Sequence, residues 1–138
     1  MLDPSYLPVK WPDNCAGNLN NVFATTTLVS GGVSEGDYSE YNLATHVGDD
    51  PAAVATNRKK LAEDLALPSE PVWLDQVHSD KVLLLGAQYA TAAKTGSCPV
   101  QADASVTRVS GVVCAVLTAD CLPVFFTNRS GTEVAVAH

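Results

Sequence analysis

The chain has 138 residues, of which 46% are hydrophobic and 17% charged, with a formal net charge of −7 from 8 basic and 15 acidic side chains. That length and composition suit one globular domain with its own core. The acidic balance excludes nonspecific nucleic-acid binding and attachment to an anionic membrane surface, since both are held by basic side chains.

The start, Met1-Leu2-Asp3-Pro4-Ser5, lacks the basic and apolar regions of a signal peptide. No apolar run nears the roughly 20 residues needed to span a bilayer. The expected location is therefore the cytoplasm, where cysteines serve as packed apolar groups, metal ligands or nucleophiles rather than as disulfides. Residues 1–21 are rich in Pro, Asn and Asp and read as irregular. The β-branched stretch Val22–Leu28 predicts a strand. Ser30-Gly31-Gly32-Val33-Ser34 reads as a turn, because glycine reaches positive φ; its paired glycines also suit an anion-binding nest.

The clearest helix comes next. Asp49 or Asp50 caps it, Pro51 takes its first position, and its body runs to about Leu65. Its apolar face is Val54, Leu61, Ala62 and Leu65, with Asn57 and Arg58 on or beside that face. Arg58 has two readings: an alkyl stem packed with its charge in water, or a charge held inward to meet an anion or polar ligand. Asn42 and His46 precede the helix.

Val72–His78 alternates, which places Val72, Leu74, Gln76 and His78 on one face of a strand. Lys81–Leu85 reads as the next strand after a Ser79-Asp80 turn, and Gln88–Gln101 as a loop. Val112–Leu117 is apolar throughout, the pattern of a central strand covered on both faces. Leu122–Thr127 and Thr132–Ala137 flank Asn128-Arg129-Ser130-Gly131 as a hairpin. Strands with one solid helix give an α+β class, a mixed β-sheet with flanking helices. The absence of a GxGxxG motif excludes a dinucleotide fold.

The chemistry concentrates at three positions. His78 closes Val72–Val77, Cys121 follows Val112–Leu117 in the loop Thr118-Ala119-Asp120-Cys121-Leu122-Pro123, and His138 closes Thr132–Ala137. Imidazole nitrogen and thiolate sulfur are the usual ligands of zinc, and three of them leave a fourth, open position. Their separations, 43 and 17 residues, match no local metal motif. The same atoms also suit a cysteine hydrolase, with Cys121 as nucleophile, a histidine as base and Asp120 or Asp103 orienting it. Asp120 reads as a proton shuttle, as an anchor for a histidine N–H, or as a plain turn residue. Gln76 is open to a polar ligand or to backbone groups, and Asp103 reads as a turn residue. Cys114 packs, and Cys15 and Cys98 read as loop residues.

Eight short motifs, in this order, resemble the YfiH-like laccase-domain family, also called multicopper polyphenol oxidoreductases. They are Gly31-Gly32-Val33-Ser34, Tyr41-Asn42-Leu43, His46-Val47-Gly48-Asp49-Asp50-Pro51, Asn57-Arg58, Gln76-Val77-His78, Ala102-Asp103-Ala104, Thr118–Pro123 and Ala135-Val136-Ala137-His138. The resemblance covers about residues 25–138. It implies an α+β fold, a metal triad at His78, Cys121 and His138, and an inward arginine at Arg58. It also implies zinc as the metal, with copper as the older alternative. The implied activity is a purine nucleoside phosphorylase acting on adenosine, inosine and methylthioadenosine with phosphate, together with adenosine deaminase activity; polyphenol oxidation is the copper alternative. The assigned roles are Cys121, Asp120 and Arg58 in catalysis, and Arg58, Asn42 and Gln76 in substrate binding.

Two departures accompany the resemblance. The arginine that usually shortly precedes Gly-Gly-Val-Ser is absent, the residues here being Thr27-Leu28-Val29-Ser30. Family domains also run about 100 residues longer, so residues 1–138 are expected to be the amino-terminal part of a single domain, with little turnover on their own.

Overall fold

The computed structural model describes residues 4–12, 19–90 and 99–138. Cys15, Cys98 and much of the expected 88–101 loop lie outside the described residues. Contacts divide the chain into two compact units, one of residues 1–10 and 23–67, the other of residues 11–22 and 68–138. No helix among the described residues is long and apolar enough to cross a membrane.

The first unit holds a two-stranded antiparallel ribbon and the single α-helix among the described residues. Strand β1 (Tyr6–Pro8) pairs with β2 (Thr25–Thr27), Tyr6 opposite Thr27. The strand expected over Val22–Leu28 is thus shorter, limited to the residues with a partner strand. Helix α1 spans Pro51–Asp64. Asp50 caps it, its carboxylate accepting from the Ala52 N–H at 3.0 Å. Pro51 opens it at no cost, because the first helical N–H has no intrahelical partner.

The buried positions of α1 are Val54, Asn57 and Leu61, at helical spacing. Asn57 is 0% exposed and fully engaged. Its Oδ1 accepts from the Val33 N–H at 2.9 Å. Its amide nitrogen donates to Ser34 Oγ and to the Glu40 and Asn42 carbonyls. Asn57 thereby fastens the Gly31–Ser34 turn to the helix. Gly32 must lack a side chain there: a Cβ would lie 2.3 Å from the Glu40 carbonyl oxygen and 2.7 Å from Asn57 Oδ1. Beside the ribbon, Tyr6 and Tyr41 meet edge to face, with their hydroxyls 2.6 Å apart.

The second unit is built on a mixed sheet of four strands, β3 (Val82–Leu85), β4 (Ala104–Thr107), β5 (Val124–Thr127) and β6 (Val134–Ala137), in the order β3-β4-β6-β5. Strands β3 and β4 run parallel; β6 is antiparallel to both β4 and β5. Leu74, Leu85, Ala102, Val112 and Val136 supply its buried apolar residues. The hairpin falls where expected. Asn128 Oδ1 accepts from the N–H groups of Thr132 and Glu133, which delays β6 to Val134. Pro123 has no N–H to give, and β5 starts one residue later.

Three expectations are corrected. The stretch 72–78 is not a continuous strand. It bridges to Cys114 from Val72 and to Gln101 from Asp75, changing partner before a ladder can form. His78, at φ 58°, leaves the extended region altogether and does not share a strand face with Gln76. The apolar run 112–117 is likewise not a central strand; it is joined through the bridge at Cys114 and through Leu117. Strand β4 begins directly after Asp103 and has no strand reading in the sequence, because its inward positions are the polar Ser105 and Thr107, both buried.

Candidate metal centre

The register of the second unit aligns Val82, Ala104, Ala137 and Val124 across one end of the sheet. The segments entering β3, β4 and β5 and the segment leaving β6 therefore meet at that end. They carry His78, Asp103, Cys121 and His138 respectively. Residues 43 and 17 positions apart are neighbours because strand pairing makes them so.

The ligand atoms of His78, Cys121 and His138 all lie within 4.8 Å of one another. The two imidazole centroids are 4.8 Å apart, with the rings inclined at 60°. Tetrahedral zinc bound to nitrogen at about 2.0–2.1 Å and sulfur at about 2.3 Å sets its donors roughly 3.3–3.8 Å apart. Small side-chain adjustments bring this group to that spacing, and a donor set of two imidazole nitrogens and one thiolate sulfur suits zinc. His78 and Cys121 are exposed, whereas the His138 side chain is only 8% exposed. Together with Ser79, Asp103 and Leu122 they line an open cleft of about 390 Å³.

Asp103 organises this end. Its Oδ1 accepts from the His78 N–H at 2.9 Å and lies 3.0 Å from His138 Nδ1. Its Oδ2 accepts from the N–H groups of Val77 and Ser79 at 3.1 and 2.7 Å, and from the Ser79 hydroxyl at 2.9 Å. Its backbone joins in: its carbonyl accepts from the His138 N–H at 2.7 Å, and its N–H donates to the Lys81 carbonyl. Burial works against the charge of Asp103. The hydrogen bonds from His138, Ser79 and Val77 outweigh it and hold the carboxyl well below the usual carboxylate range. Sequence reasoning offers Asp103 only as a turn residue or, in the hydrolase reading, as one of two aspartates orienting a histidine; its hold on the 77–79 backbone is not legible, the one further signal being the Ala-Asp-Ala motif immediately ahead of an unrecognised strand.

The other site residues fall as follows. Asp120 is exposed in the loop beside Cys121. Gln76 uses both ends of its amide on Leu117, donating to the carbonyl and accepting from the N–H, each at 2.7 Å. It therefore ties the approach to His78 to the approach to Cys121. In the first unit, Arg58 is half-buried and its Nε donates to the Leu43 carbonyl at 2.9 Å. Asn42 closes a local turn, bonding the Ala44 backbone and donating to Asp49 at 2.9 Å. Cys114 is half-buried, and that burial pushes its thiol up.

Fold and site define a mixed-sheet α+β protein with an open three-ligand cluster at one sheet end. The chain belongs to the family described as multi-copper polyphenol oxidoreductase laccase, whose sequence profile matches residues 23–138. It is 48% identical over 130 residues to the Escherichia coli protein named purine nucleoside phosphorylase YfiH, a match covering 94% of this chain and 48% of that protein. A Haemophilus influenzae protein named purine nucleoside phosphorylase is 46% identical over 118 residues, covering 86% of this chain and 45% of its own length. Among solved structures, the Neisseria meningitidis protein NMB0706 superposes with a TM-score of 0.78 at 43% identity, covering 97% of this chain and 50% of that one. YlmD from Geobacillus stearothermophilus gives 0.72 at 34% identity, over 84% and 44% of the two chains. The chain thus spans about half the length of the curated relatives it matches.

Proposed function

We propose that this chain carries the metal centre of a cytoplasmic, zinc-dependent purine nucleoside phosphorylase that also deaminates adenosine. The observation that carries this reading is the convergence of His78, Cys121 and His138 to within 4.8 Å, in a chain whose relatives bear the phosphorylase name. The substrates proposed are adenosine, inosine and methylthioadenosine, with phosphate as the attacking partner.

Zinc, when bound, supplies a Lewis acid at the open corner left by three protein ligands. Phosphorolysis itself joins a phosphate oxygen to the ribose C1′ and breaks the bond to the purine, which leaves as an anion. Arg58 is proposed to hold phosphate or a ribose oxygen through paired N–H donors. Asp120, exposed beside Cys121, is the proposed proton carrier for the departing base. Gln76 and Asn42 are proposed to serve the substrate site through the loops they fasten, since their amides already hold backbone and Asp49.

Copper and phenol oxidation form the second reading, favoured by the family's description. One experiment separates the two. Phosphate-dependent release of base from the three nucleosides is measured beside phenol oxidation, on one metal-analysed sample of the full-length protein. Base release that tracks zinc content and disappears in Cys121→Ser is the expected result. Oxidation tracking copper, with no phosphorolysis, contradicts it.

A further inference from the structure

We propose that Asp103 is the positioning residue for both histidine ligands. It fixes the His138 ring as the Nδ1–H tautomer, so that Nε2 is the ligand atom, and it pins the left-handed backbone that presents His78. This rests on the metal reading of the cluster, although its first half is testable without metal.

The argument is one of donors and acceptors. Every other partner of the Asp103 carboxylate among the described residues is a donor: the N–H groups of Val77, His78 and Ser79, and the Ser79 hydroxyl. With donors on both oxygens, the group acts as a carboxylate, which only accepts. His138 Nδ1, 3.0 Å from Oδ1, must then carry a proton, and in the neutral ring Nε2 is left with a bare lone pair. The contact is sheltered, both side chains being less than a tenth exposed. The His138 N–H also donates to the Asp103 carbonyl, so backbone and ring are held by the same residue.

The second half concerns His78. At φ 58° it sits in a region that non-glycine residues enter at a cost. Three consecutive N–H groups, from Val77 to Ser79, converge on one carboxylate across that residue. The Asp103 side chain is what over-determines the conformation. A single carboxylate thus couples two ligands 60 residues apart in sequence.

The test is nitrogen-15 NMR of the histidine rings in the full chain at mildly alkaline pH, without metal and then with zinc, together with zinc affinity by chelator competition for wild type and Asp103→Asn. The expected spectrum shows His138 protonated on Nδ1 in both states. Asp103→Asn is expected to weaken zinc about 10–100-fold while the protein still unfolds cooperatively. A His138 ring protonated on Nε2 in the metal-free wild type overturns the proposal, and does so even if the variant fails to fold. Zinc affinity within about threefold of wild type in a folded Asp103→Asn overturns it as well. A wild type that shows the Nδ1–H tautomer and takes up no zinc supports the positioning of His138 and contradicts the proposed function, so the two failures are distinct.

Discussion

Asn57 and Asp103 each hold several backbone groups in place with one side chain. Helical spacing puts Asn57 on or beside the apolar face of α1, but the residue it singles out there is Arg58. Asp103 reads as a turn residue, because a short polar residue ahead of small ones has that signature, or as the group orienting a histidine in the hydrolase reading; nothing local reveals that it will be 4% exposed. The proximity of His78, Cys121 and His138 was foreshadowed for another reason: few residue types bind zinc, and three of them sit at the ends of apolar runs. Replacing Asn57 with Ala removes the side-chain partner of the part-buried Val33 N–H and Asn42 carbonyl, and leaves the Glu40 carbonyl with the Ser34 N–H. The expected loss is about 2–4 kcal/mol, read as a lower urea midpoint. Asp49 gives a pH prediction. Hydrogen bonds from Asn42 and Ser34 hold its carboxyl below the ordinary aspartate value, outweighing desolvation. A depressed folded pKa contributes stability above the unfolded value of about 3.9, and that contribution is lost as pH falls through the folded pKa. Asp49→Asn is therefore expected to lower the melting temperature at neutral pH, with the gap to wild type holding down to about pH 5 and narrowing below it as pH falls through the folded pKa.

At the scale of elements, helix α1 was legible end to end, since its cap, first-turn proline and buried face are all local signals. Asp50→Ala is expected to cost about 1 kcal/mol, measured by denaturant titration. The sheet was only partly legible. Strands β3, β5 and β6 announced themselves by β-branched and aromatic residues, whereas β4 is built of Ala, Ser, Val and Thr, and its strand character comes from its neighbours. Conversely, Val72–Val77 and Val112–Leu117 have strand-like sequences but share only single bridges, because pairing needs a partner of matching length and register. One sheet face is apolar throughout: Val82 and Leu84 on β3, Ala104 and Val106 on β4, Ala135 and Ala137 on β6, Val124 and Phe126 on β5. Val82, Leu84, Val124 and Phe126 on it are exposed, Leu84 by 66%. At tens of micromolar the 138-residue chain is expected to enhance the fluorescence of a hydrophobic dye and to self-associate, as exposed apolar patches do. Leu84→Lys with Phe126→Lys should reduce both signals severalfold; unchanged fluorescence would show that the dye binds elsewhere.

At the scale of the whole molecule, the family was legible because its motifs sit at the sheet end and in the Asn57-fastened turn, where backbone and side chain are jointly constrained. The two-unit division was not legible, since it depends on contacts between residues distant in sequence, Trp11–Val22 grouping with residues beyond Pro68. Strand pairing brings the ligand atoms of His78, Cys121 and His138 within 4.8 Å of one another, and the proposal is that they share one ion. X-ray absorption at the zinc edge of the zinc-loaded chain tests this most directly. The predicted first shell contains one sulfur at about 2.3 Å and two imidazole nitrogens at about 2.0–2.1 Å, with the sulfur lost in Cys121→Ser. A shell of oxygen and nitrogen alone in the wild type, or zinc bound with no fixed stoichiometry, would contradict it.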